Sequence, residues 1–190
     1  LQAHGLRLLD NVASVAIDQF HRLGELPVLV LSSTREQTRV LAYTVCRRLP
    51  EVADGHPLRD LAREVIKRTP YLLTLHKCLK HGVAYHNASL PNWIRERLEA
   101  LMSQQAFRIV VATTTLAEGV DLPFRVVVMA DWQQWQFGKR KPMPSLLFRN
   151  IAGRCGRAGA FAEGDTIIVD NPGRIIGGAP FSLRYQDYLR

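Results

Sequence analysis

The sequence predicts an α/β domain: a mostly parallel sheet with helices on both faces. Three observations carry this. Five short, almost wholly apolar runs, at residues 28–31, 83–85, 109–112, 126–130 and 166–169, alternate with segments of helical periodicity. The runs lack the apolar-polar alternation of a half-exposed strand, so each is expected to be covered on both faces. Polar residues follow several of them, as strands feeding into helices require.

The elements follow in order. Leu6, Leu9, Ala13, Ala16 and Phe20 recur at helical spacing, and Gly24 ends that helix. After Pro27 comes the apolar run 28–31, then Ser32, Ser33 and Thr34, then a helix turning Val40, Leu41, Val45 and Leu49 inward. Residues 50–57 form a loop between prolines, and the next helix places Leu58, Leu61, Ala62, Val65 and Ile66 on one face until Thr69 and Pro70 break it. A helix over 71–80 aligns Leu72, Leu75 and Leu79. Beyond the strand at 83–85, Ser89 is placed to cap a helix over 92–104 with Ile94, Leu98, Leu101 and Met102 inward and Arg95, Glu96, Arg97 and Glu99 facing water.

At 190 residues and 47% hydrophobic composition, the chain fits one domain with a substantial core and excludes disorder. No apolar run approaches the ~18 residues that span a bilayer, and Asp10 and Asp18 interrupt the place of a secretion signal. No membrane is expected, and an intracellular, cytoplasmic location is, with the nucleus left open. Beginning at Leu1 rather than methionine, the chain is expected to be part of a longer protein. The three cysteines, Cys46, Cys78 and Cys155, have no C-x-x-C spacing and an odd count, so neither a metal site nor a disulfide framework is indicated. A net charge of +8 and an isoelectric point near 9.9 favour polyanionic partners.

In a parallel sheet, ligands collect beyond the carboxyl ends of the strands. There the chain carries Ser32, Ser33, Thr34 and Arg35 after the first run, His86 after the second, and Thr113, Thr114 and Thr115 after the third. Hydroxyls and a guanidinium on one rim suit a sugar-phosphate backbone held without reading bases. Singly, each Ser or Thr reads as a helix cap, and His86 as a satisfied structural histidine. Gly119 and Asp121 follow the threonines by about a helical turn, a turn signature whose carboxylate suits a ribose hydroxyl.

Residues 150–157 read N-I-A-G-R-C-G-R. Positions three apart share a helical face, so Arg154 and Arg157 direct two like charges the same way, and an anion opposite them relieves the repulsion. Gly153 and Gly156 weaken a helix by about 1 kcal/mol each relative to Ala and permit close backbone approach. A planar, permanently charged fork matches the oxygens of a phosphoryl group; the simpler alternative is a solvated basic helix end. The segment 132–144, with Trp135 and Phe137 before Lys139, Arg140 and Lys141, is a basic and aromatic loop suited either to stacking on bases or to solvation.

Taken in order, these stretches resemble the second RecA-like lobe of superfamily-two DEAD/DExH-box helicases, in particular the superkiller-like branch, over about residues 27–169. P-V-L-V-L-S-S-T-R-E at 27–36 looks like motif IV, and G-V-A-Y-H-N-A-S-L at 82–90 is similar to the branch's G-V-A-F-H-H-A-G-L. A-T-T-T-L-A-E-G-V-D-L-P at 112–123 looks like motif V, and residues 150–157 look like motif VI, usually Q-x-x-G-R-x-G-R. The departures are Asn87 for histidine, Ser89 for glycine and Asn150 for glutamine, the last one methylene shorter.

The resemblance implies a RecA-like domain over 27–170, entered by a helix in 1–26 and left by an extension over 171–190. It implies a motor that couples ATP hydrolysis to movement along RNA or DNA, single-stranded where gripped. Arg154 and Arg157 would be arginine fingers, with Gly119, Asp121, Asn150 and Gly153 near the nucleotide. Ser32, Ser33, Arg35, His86, Thr113 and Thr114 would lie along the nucleic acid. ATP and Mg2+ would be bound mainly by an amino-terminal lobe of the same polypeptide, because this chain has no G-x-x-x-x-G-K-[ST] and no Asp-Glu dipeptide. Alone, it is expected to be inactive in hydrolysis. The alternative is a non-catalytic RecA-like module that binds nucleic acid or protein. A dinucleotide-binding domain is disfavoured by the missing G-x-G-x-x-G.

Overall fold

The apolar run after Pro27 becomes the centre of the sheet. A computed structural model of the chain describes residues 2–24, 26–114, 116, 124–130, 133–136, 139–152, 164–169, 175–176 and 179–180. Helix α1 (Gln2–Arg22) leads into strand β1 (Val28–Ser32) and helix α2 (Arg35–Cys46). Helix α3 (Pro57–Arg68), a 3-10 turn (Pro70–Leu72) and helix α4 (Leu73–Lys80) precede strand β2 (Val83–His86). Helix α5 (Asn92–Ser103) then leads to β3 (Ile109–Thr113) and β4 (Val126–Met129). The order continues with β5 (Gln133–Gln136), β6 (Lys139–Pro142), α6 (Ser145–Ala152), β7 (Asp165–Ile168), β8 (Ile175–Ile176) and β9 (Ala179–Pro180).

The main sheet has five strands in the order β2-β3-β1-β4-β7, and every pairing in it is parallel. All five apolar runs expected to be strands are in it. Neighbouring residues of a strand point to opposite faces. Every residue of β1, β2 and β4 is buried, so the sheet is covered on both sides as the unalternating runs predict. Helix α1 packs on α2, β1, β3 and β4; α2 packs on β1, β2 and β3; α3 packs on α4; and α5 packs on β2.

Local chemistry sets the helix ends. Thr34, extended at φ −132°, caps α2 by accepting from the Gln37 amide at 3.1 Å. His56 caps α3 through Nδ1, which accepts from the Leu58 amide at 3.2 Å, with Pro57 in the first turn and Lys67 and Arg68 in the last. Gly24, at φ +66°, takes the left-handed conformation after α1. The predicted inner stripes are buried at Leu41, Val45, Leu58, Leu61, Val65, Leu75, Leu79, Ile94 and Leu98. Val40 and Ile66 are only half-buried, while polar Thr38 is wholly buried in the α2 stripe.

Three expectations are corrected. The helix predicted to begin at residue 71 starts with the 3-10 turn, which leaves Tyr71 75% exposed. Pro91, not Ser89, occupies the cap position of α5 and makes no side-chain cap bond, because Ser89 is engaged elsewhere. Within the segment 132–144, β5 and β6 form an antiparallel ribbon, with Trp135 paired to Arg140 and Gln136 to Lys139. Among the described residues no helix is long and apolar enough to cross a membrane.

Gly82, which opens β2, explains itself by geometry. Its φ is +77°, and a Cβ there would lie 2.9 Å from Cδ of Arg108 and 3.2 Å from Cγ1 of Val52. Arg108 cannot easily move aside, since Nη1 donates to the Pro50 carbonyl at 2.6 Å. Gly82→Ala is therefore expected to destabilise the fold by about 1–3 kcal/mol, read as a lower urea midpoint at unchanged slope.

Candidate nucleic-acid interface at the carboxyl edge of the sheet

Parallel registration brings the polar clusters to one edge. Ser32 pairs with Thr113 across β1 and β3, and His86 pairs with Ala112 across β2 and β3. The strands carrying Ser32, Thr113 and His86 thus end together, with Ser33, Thr114 and Asn87 the next residues along the chain. Ser33, Thr113 and Thr114 are half-buried and Arg35 is exposed, whereas Ser32 and His86 are 2% and 5% exposed.

The first turn of α2 ties these ends together. Hydroxyls of Ser32 and Ser33 both donate to the Gln37 side-chain carbonyl, at 3.1 and 3.0 Å. Thr38, next in the chain, donates from Oγ1 to the Arg35 carbonyl at 2.6 Å and accepts from Nδ2 of Asn87 at 2.9 Å. Asn87 is 2% exposed, and its Oδ1 accepts from the amide of Ser89 at 3.0 Å and from its hydroxyl at 2.5 Å. Asn87 and Ser89, two of the departures from the helicase pattern, are therefore hydrogen-bonded to each other. A buried amide needs partners for both ends, and here Thr38 and Ser89 supply them.

His86 is held differently. Its Nε2 lies 2.9 Å from Oε1 of Glu99 on α5, and its buried Nδ1 has no hydrogen-bond partner among the described residues. Burial pulls the imidazole below its ordinary range, against the Glu99 contact that favours the charged form. The ring is therefore neutral at pH 7. Since a carboxylate can only accept, Nε2 carries the proton. Glu99 does not simply face water as its helical position suggests, and the buried Nε of Arg95 has no hydrogen-bond partner among the described residues.

Positive charge is left over beside this edge. Glu36 pairs with Arg39 one turn along α2, and that hydrogen bond holds the Glu36 carboxyl below the usual carboxylate range. Arg35 makes no ion pair among the described residues. The exposed Arg35 guanidinium offers donors, the chemistry phosphate oxygens require, whereas the Ser32 and Ser33 protons are given to Gln37. Among the described residues no group of His, Cys, Asp and Glu could hold a metal ion; Cys46 and Cys78 are buried free thiols.

The structure brings Ser32, Ser33, Arg35, His86, Thr113 and Thr114 to one edge. Asn150 is exposed near the end of α6. Gly119, Asp121, Gly153, Arg154 and Arg157 lie outside the described residues. Sequence reasoning missed Gln37, Thr38, Asn87 and Glu99 as the supports of this edge. One signal was present: Thr34-Arg35-Glu36-Gln37 has the T-x-x-Q form of a capping box. Asn87→Ala removes a buried amide on which two hydroxyls depend and is expected to cost about 1–3 kcal/mol in denaturant unfolding. Ser89→Ala should cost less, and nothing further in the Asn87→Ala background.

Comparison with known proteins shows the family. A family model described as the helicase conserved C-terminal domain matches residues 59–159. The chain is 34% identical over 166 residues to an ATP-dependent DNA helicase Hel308 of Pyrobaculum calidifontis, covering 84% of this chain and 23% of that protein. It is 29% identical to a protein of the same name from Methanocella arvoryzae, covering 84% of this chain and 22% of that protein. To a third, from Aeropyrum pernix, it is 39% identical over 101 residues, 51% of this chain and 14% of that protein. The chain thus spans less than a quarter of the length of these curated relatives. With a parallel RecA-like sheet, its polar strand ends and a family match over more than half its length, the chain belongs to the helicase C-terminal domain family, in the Hel308-type, superkiller-like branch of superfamily two.

Proposed function

We propose that this chain is the carboxyl-terminal lobe of an ATP-dependent helicase or translocase, gripping the nucleic-acid backbone and lending arginine fingers to ATP held by an amino-terminal lobe of the same polypeptide. The observation that carries the reading is the carboxyl edge itself: Ser33, Thr113, Thr114 and Arg35 stand at the ends of adjacent strands or just beyond them, in a chain of a helicase family. Relatives named as DNA helicases support DNA as the first strand to examine.

The division of labour follows from donor chemistry. Arg154 and Arg157 offer only hydrogen-bond donors, which suit phosphate oxygens, and the chain has neither a glycine-rich phosphate cradle followed by Lys and Ser or Thr nor an Asp-Glu pair for magnesium. ATP with Mg2+, when bound, supplies the phosphoryl-transfer free energy. This chain's part is to place guanidiniums at the γ-phosphate from one face, with Gly119, Asp121, Asn150 and Gly153 around the nucleotide. The same closure would shift the hydroxyl edge along the strand. By itself the chain is inactive in hydrolysis on this reading.

In the full-length protein, Arg157→Ala is expected to lower nucleic-acid-stimulated ATPase about a thousandfold or more, with single-strand affinity retained. Full ATPase activity in that variant refutes the finger assignment.

A further inference from the structure

We propose that the surface around Arg68, Tyr71 and Trp93 is a further single-strand contact, in which Arg68 meets a phosphate and Tyr71 stacks on a base where the nucleic acid passes beyond the end of β2. This rests on the reading of the carboxyl edge as the nucleic-acid interface, and it extends that edge to residues outside the helicase motifs.

The path of the chain brings the three residues there. Helix α4 ends just before β2 begins and packs along it. Its eight residues rise about 12 Å and the four of β2 about 13 Å, so the start of α4 and the 3-10 turn ahead of it return to the level of His86. Helix α5 leaves β2 from that same end, with Trp93 in its first turn. The last residue of α3 closes the cluster: the Arg68 guanidinium lies 4.0 Å from the centroid of the Trp93 ring.

Both groups keep their binding capacity. Arg68 gives one N–H to Glu64, from Nη1 to Oε1 at 2.6 Å, and a guanidinium has five. Stacking on the indole uses the face of the guanidinium and not its edge, so donors remain in a plane that Trp93 sets. Tyr71 is 75% exposed, and Leu73 next to it in the same turn is 47% exposed. A ring so open adds little to the core and offers a π-face to which any base can stack. The helix dipole accounts for a basic last turn of Lys67 and Arg68. It accounts neither for an indole under the guanidinium nor for a tyrosine left in water three residues on. The chain's net charge of +8 favours a polyanion as the occupant.

The test uses the full-length protein and a labelled single strand, as DNA and as RNA of one sequence, beside an abasic strand of equal length. Tyr71→Ala is expected to weaken binding of the normal strand about fivefold or more, the scale of one lost base stack, and to leave the abasic strand unaffected. Arg68→Gln is expected to weaken both and to reduce the salt slope by about 0.7, the share of one single-strand phosphate. Trp93→Leu should weaken binding alone and add nothing to Arg68→Gln. A merely structural role would lower the urea midpoint and leave the salt slope and the abasic comparison unmoved. With Arg35→Ala weakening binding, unchanged affinity in either Tyr71→Ala or Arg68→Gln, or an equal loss on the abasic strand, overturns the proposal and leaves the edge reading intact. The same unchanged affinity with altered self-association in sedimentation overturns it in favour of a protein contact. Unchanged affinity in Arg35→Ala overturns both readings.

Discussion

The carboxyl edge of this domain depends on one buried hydrogen bond, from the side-chain amide of Asn87 to the hydroxyl of Thr38 at 2.9 Å. It joins α2, the helix that follows β1, to the residue just beyond β2, a strand that β3 separates from β1 in the sheet. Hydrogen bonds of the sheet hold strands in register but do not fix the loops beyond their ends. Thr38 and Asn87 are 0% and 2% exposed, and at that depth neither group can replace its partner with water. The cost of an unpaired buried amide makes the junction an obligatory contact.

From that junction the rest of the edge follows. Gln37, beside Thr38, fixes the serines at the end of β1, and Asn87 fixes Ser89 beyond β2. One helical turn therefore sets the geometry of two strand ends, while Glu99 secures His86 from α5. The result is a set of hydroxyls with few free torsions next to an exposed guanidinium at Arg35. On the proposed function, such an edge would bind by position and charge rather than by reading bases, as a motor moving along any sequence requires.

Much of this was legible in the sequence, for definable reasons. Unalternating runs at 28–31, 109–112 and 126–130 identify buried parallel strands because burial on both faces removes the polar positions. Helix stripes are legible where packing alone decides them, as at Leu58, Leu61 and Val65. Polar supports are less so. Thr38 occupies a core position that periodicity assigns to an apolar residue, and it is satisfied only by Asn87, nearly fifty positions along the chain. Ser89 looks like a helix cap because Ser next to a helix start usually is one; Asn87 takes its hydroxyl first. The ribbon of β5 and β6 was hidden because charges and aromatics there follow no apolar alternation. The departures Asn87 and Ser89 were visible singly, and their mutual bond needed coordinates.

The account's central claim is that a single turn of α2 makes the ends of β1 and β2 one binding surface. Amide hydrogen exchange on the full-length protein, with and without saturating single-stranded nucleic acid, addresses it most directly. The account predicts that peptides spanning residues 32–38 and 86–89 gain protection together as strand is added, with the same midpoint. Protection confined to the opposite edge of the sheet, around the loop at 47–56, or gained by only one of the two peptides, would contradict it.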